Sequence, residues 1–191
     1  MTVLLILSRA IDALSTFVGQ AMRWAILAAV LISASNAILR RTLALSSNGW
    51  LEVQWYLFGA VFLFGAAYTL RRAEHVKIDF LLARLSPRNA VRVALFGHIA
   101  FLMPVCLVMV VLSVPWAWAS ILSGETSANA GGLPLWPAKA AIPIGFALLA
   151  AQTLSEIIRS IAQLRGHLPM DLTAGIQPQP TADSTDQGYH D

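Results

Sequence analysis

The residues best suited to chemistry lie close together: Arg71, Arg72, Glu74, His75, Lys77 and Asp79 fall within nine consecutive positions. On a helix Arg71 sits three residues from Glu74 and His75 four from Asp79, so each pair lies on neighbouring turns. The cluster has two readings. It can anchor the chain at a membrane surface through its positive charge, or it can also dock a partner. His75 is not taken as catalytic, because nothing beside it supplies the rest of a reaction site. Other polar groups stand alone in apolar surroundings: Glu52, Asn36, His98, Cys106 and Gln152. Asn36 and Gln152 are read as side chains that join helices, and His98 as a hydrogen-bond donor between packed helices. Glu52 is expected to pair with Arg40, Arg41 or Lys139. A nucleophile elbow, a phosphate loop, a zinc spacing and a dinucleotide fingerprint are all missing, so no enzyme is expected and no catalytic, cofactor or metal residue is assigned. Two histidines holding a haem is disfavoured, since His75 and His98 differ in depth by about 10 Å or more of helical rise.

The elements that must carry these residues follow from composition. Of 191 residues 57% are apolar and 12% charged, about half the charge of an average soluble domain. That balance points to an all-α integral membrane protein. Val53–Leu70 is free of formal charge, and its eighteen residues reach about 27 Å, close to the roughly 30 Å hydrocarbon core. Arg71 ends it, because a charge at mid-membrane costs about 2.5–3.5 kcal/mol on an insertion scale. Trp24–Leu39, Val93–Gly124 and the stretch from Ala138 are likewise apolar. We therefore expect four transmembrane helices, at about 23–41, 51–71, 91–120 and 138–158, within a membrane domain spanning 21–165.

Amphipathic surface helices complete the layout. Residues 1–20 put Leu7, Ala10, Ile11, Leu14 and Val18 on one face and Ser8, Asp12, Ser15 and Gly19 on another, the pattern of an amphipathic helix that lies along the membrane or packs on a partner. Ile78, Leu81, Leu82 and Leu85 form a similar stripe in a surface helix at about 74–86. Ser86-Pro87 is a start signal for the third span, with Ser as cap and Pro at the first helical position. Pro104 and Pro115 are expected to kink that span. The segment 166–191 is polar, acidic and Pro-containing, and is expected to be a disordered cytoplasmic tail. The start of the chain, where Arg9 interrupts a short apolar run, does not resemble a cleaved signal peptide.

Orientation follows from the basic residues. With both termini inside, ten of the thirteen Lys and Arg residues lie inside, and only Arg40, Arg41 and Lys139 outside. This is the positive-inside distribution. Trp50, Trp55, Trp116, Trp118 and Trp136 then all reach the outer interface, where indoles concentrate.

The combination Glu52-Val-Gln-Trp55, then Arg71-Arg72-Ala-Glu74-His75-Val76-Lys77-Ile78-Asp79, resembles the small membrane subunit of TRAP (tripartite ATP-independent periplasmic) transporters, the DctQ-like family, over about residues 20–165. Glu52, Trp55, Arg72, His75, Val76, Lys77 and Asp79 occupy the positions of that family's motif. The resemblance implies a small permease subunit in a sodium-coupled importer of organic acids, located in the bacterial inner membrane. Its implied partners are a large membrane subunit, with which it forms a heterodimer, and a periplasmic substrate-binding protein. Glu52, Trp55, Arg71, Arg72, His75, Lys77 and Asp79 are then candidates for subunit contacts or structure. The chain shows no internal buried charge pairs, broken half-helices or inverted repeat, the marks of a self-sufficient transporter. Two alternatives are a membrane anchor for a redox complex and a stand-alone small exporter.

Overall fold

The computed structural model describes residues 2–43, 48–72, 86–129 and 132–168. Four long helices account for almost all of them: α1 (Thr2–Leu43), α2 (Asn48–Arg72), α3 (Pro87–Ser123) and α4 (Trp136–Leu164). Each is long and apolar enough to cross a bilayer. The expected surface helix at 74–86 lies outside the described residues, apart from Ser86, as does most of the expected tail.

The helices do not contribute equally to the interior. α4 packs against α1, α2 and α3, and α1 also packs against α2. A third of the most apolar stretch of α4 is buried, against 6% for each of the other three. α4 is therefore the central post, and α1, α2 and α3 turn most of their apolar side chains outward. Close approach is made possible by glycine. A Cβ at Gly145 of α4 would come within 2.8 Å of Leu63 Cβ on α2, and one at Gly19 of α1 within 2.3 Å of Tyr68 Cγ on α2. Small residues let membrane helices gain contact where no hydrophobic force drives them together.

α1 differs from the sequence expectation. It is one continuous helix of 42 residues, with no break near residue 20, and its polar stripe does not face water. Ser8, Asp12 and Ser15 are buried, while Leu4, Leu7, Leu14 and Phe17 are exposed. The periodicity was that of an amphipathic helix, but the polar side faces α4. Ser8 and Ser155 touch, which places the start of α1 and the end of α4 at the same end of the bundle.

α3 is interrupted where proline requires it. A π-helical turn, His98–Leu102, precedes Pro104, and the Met103 N–H reaches back to the His98 carbonyl. Proline lacks an N–H and crowds the carbonyl four residues earlier, so a widened turn just before it relieves both problems. Pro115 lies further along within the helix. Ser86 is extended at the start of α3 but makes no side-chain cap. Instead its carbonyl accepts the N–H groups of Asn89 and Ala90 at 2.9 and 3.0 Å. α3 ends at Gly124, whose φ of 61° is the left-handed conformation favoured there.

Candidate functional site

The two ends of the bundle hold the organised polar structure. At one end, Glu52 in the first turns of α2 is 4% exposed and receives three donors from the loop between α3 and α4. The Ser127 hydroxyl donates to Oε1, as does the Asn129 amide at 2.7 Å, and the Leu133 N–H donates to Oε2 at 2.7 Å. The loop is folded on itself by a bridge between Thr126 and Pro134, with Ser127 N–H to Leu133 O at 2.9 Å and Leu135 N–H to Glu125 O at 3.0 Å. Tyr56, one turn further along α2, donates to the Pro134 carbonyl at 2.9 Å. Glu52 therefore does not pair with Arg40, Arg41 or Lys139. A buried carboxylate needs hydrogen-bond donors, and this loop supplies three of them.

Lys139 is engaged elsewhere. It forms an ion pair with Glu125, and its Nζ stands 4.5 Å from the Trp116 ring centroid. The Lys139 ammonium, with the Ser120 hydroxyl beside it, holds the Glu125 carboxyl below the usual carboxylate range. This end also presents the exposed indoles of Trp50, Trp55, Trp116, Trp118 and Trp136.

The opposite end holds a network that the sequence reading missed. Asp12 of α1 meets Arg159 of α4 at 3.1 Å. Gln152 donates to Asp12 Oδ1 at 3.0 Å and to Glu156 at 3.3 Å, and accepts from the Ser15 hydroxyl at 2.7 Å. Ser155 has one proton, used toward Asp12 Oδ1 at 2.9 Å, so the Ser8 hydroxyl donates to Ser155 Oγ at 2.7 Å. Arg159 also reaches Glu156 at 3.4 Å. No internal buried charge pair was expected, yet the chain carries one whose carboxylate is buried and whose guanidinium is partly exposed. The network lies near the bundle end rather than at mid-membrane: Asp12 is seven residues beyond Gly19, roughly 10 Å of rise, whereas α2 ends four residues after Tyr68, Gly19's neighbour. Such a position suits a bracket between helices better than an ion path. The missed signal was present in the sequence: Gln152, Ser155, Glu156 and Arg159 recur at i, i+3, i+4 and i+7, matching Ser8, Asp12 and Ser15 across the contact.

Of the other sequence candidates, Gln152 does join helices. Asn36 is half-buried. His98 lies in the π-helical turn with Nδ1 buried and, among the described residues, without a hydrogen-bond partner, so the expected donor role is not made there through that nitrogen. Trp55 is exposed, and the Arg72 guanidinium lies 5.1 Å from the Tyr68 ring centroid. Arg71 is half-buried in the last turn of α2. His75, Lys77 and Asp79 lie outside the described residues.

Three long apolar helices packed on a fourth, with the organised polar structure of the described residues at the two ends, define a multi-pass membrane protein. The chain belongs to the family described as tripartite ATP-independent periplasmic transporters, DctQ component, which matches residues 29–163. No curated protein and no solved structure matches it. The family match begins inside α1, so Ser8, Asp12, Ser15 and Arg23 precede it.

Proposed function

We propose that this chain is the non-transporting small subunit of a sodium-coupled importer of organic acids, set in a bacterial inner membrane with both termini in the cytoplasm. In this role it enlarges the fixed part of a large transport subunit and helps seat a periplasmic substrate-binding protein. The observation that carries the reading is that Glu52 and Tyr56 hold the outer-loop segments 125–129 and 132–135 against α2. A loop so fixed is a preformed surface, and preformed surfaces bind at a lower ordering cost. The excess of Lys and Arg at the opposite end supports the orientation. The network of Asp12 and Arg159 supports a static scaffold, because it locks the central post to α1 at one end.

The test is the association of the binding protein with the complex of small and large subunits in nanodiscs. Glu52→Ala is expected to weaken that association about fivefold, the equivalent of roughly 1 kcal/mol of ordering returned to the loop. Unchanged association would remove the docking role.

A further inference from the structure

We propose that the segment 169–191 of this chain docks on the start of α3 beside the end of α4, where its aspartates meet Arg88, Arg92 and Arg165. All three arginines are exposed. They share one end of the bundle. Lys139 at the start of α4 pairs with Glu125 just past the end of α3, so the start of α3 lies toward the end of α4, against which it packs.

The positive charge at this surface is unmatched. Among the described residues no carboxylate pairs with Arg88, Arg92 or Arg165. Arg92 donates to the Asn89 side-chain oxygen at 3.4 Å, a group without charge. Asp12 and Glu156, the two described acids at this end, are both taken by Arg159. Arg88 stands in the first turn of α3, where no acidic residue is present and the helix macrodipole disfavours a cation. Arg88 and Arg92 are also four residues apart, the spacing at which like charges on a helix repel. An anion seated between them would relieve both effects.

The chain carries the anion itself, next in sequence after α4. Residues 169–191 contain Asp171, Asp183, Asp186 and Asp191 and no Lys or Arg. The stretch 73–85 between α2 and α3 is balanced, with Glu74 and Asp79 against Lys77 and Arg84, so it offers no surplus acid. Eighteen residues lead from Leu168 to Asp186, a coil reach of about 23 Å. Packed helix axes stand only about 8–10 Å apart, so the arginines of α3 are within that reach. Tethering holds the acids at a local concentration on the order of millimolar, which sustains contacts too weak for separate molecules. The inference rests on the described helices and the charge pattern and not on the transport role.

Double electron–electron resonance on the full chain in phosphatidylcholine nanodiscs reads the contact as a distance, with spin labels at Ser86→Cys and Ser184→Cys in a Cys106→Ala background. We expect a short-distance population at low salt that shrinks in 1 M salt, where the screening length falls to about 3 Å. Arg88→Glu with Arg92→Glu should reduce that population about fivefold, the factor two exposed ion pairs contribute together. Adding Asp183→Arg and Asp186→Arg to the same chain exchanges the charges and should restore it, which separates lost pairing from lost folding. Arg40→Gln, at the other end of the bundle, should leave it intact. Absence of the population from the native chain would overturn the proposal, as would its persistence in Arg88→Glu with Arg92→Glu or its failure to return on charge exchange. The population should also survive when phosphatidylglycerol is mixed into the nanodisc. Its loss there would mark lipid headgroups as the occupants of these arginines and likewise overturn the proposal.

Discussion

At Glu52 both oxygens of one carboxylate are taken by donors from a single loop, and at Asp12 by donors from a single helix. The two acids have the same task at opposite ends of the molecule: each is buried and each fixes a separate chain segment. Removing such a group leaves its donors unmatched, and this is where the cost arises. Breaking a fully buried pair costs about 3–5 kcal/mol. Arg159 is 37% exposed and can recover water, so Asp12→Ala should cost about 2 kcal/mol. Thermal unfolding in detergent measures this, and Asp12→Asn should lose less because an amide can keep part of the bonding. Glu125 sets a pH dependence. Lys139 lowers its folded pKa, so the stabilisation from this pair is present above the unfolded value of 4.5 and disappears as pH falls through the folded one. Between about pH 6 and pH 3 the unfolding midpoint should fall more steeply in the native chain than in Glu125→Gln. Parallel curves would show that the pair is neutral to stability.

At the scale of elements, the close helix crossings make the sharpest forecast. Gly19→Ala would place a methyl group 2.3 Å from Tyr68 Cγ, whereas at Gly59 the same methyl meets nothing within 4 Å. Overpacking costs about 1–3 kcal/mol, while an open helical Gly→Ala change stabilises by roughly 0.5–1 kcal/mol. The two variants should therefore move the unfolding midpoint in opposite directions. The four spans were legible in the sequence because charge-free runs of about twenty residues have one stable fate in a bilayer. The side toward which α1 turns its polar stripe was not. Periodicity shows that Ser8, Asp12 and Ser15 share a face, but in a membrane protein that face can meet water or another helix. Only the matching polar stripe on α4 decides between them. Glu52 was recognised as an unusual group, yet its partners were misassigned to cations. Its real donors, two side chains and one backbone N–H, come from a loop whose fold could not be read from composition.

At the scale of the molecule, the fold has a rigid end, a bracketed end and wide apolar faces between them. α1, α2 and α3 are almost unburied in the isolated chain, and the family to which the chain belongs assembles with other transporter components. Among the described residues the polar groups at both bundle ends bond to one another: the loop donors close on Glu52, and Gln152, Ser155 and Arg159 close on Asp12. Under the proposed function, a partner subunit moves the substrate and this chain supplies a fixed frame. Sodium-driven uptake into proteoliposomes tests this most directly. The organic acid used would be one that the co-reconstituted substrate-binding protein retains. No uptake is expected from this chain alone, and uptake is expected once a large subunit and a binding protein are added. Uptake by this chain alone, driven by a sodium gradient, would contradict it.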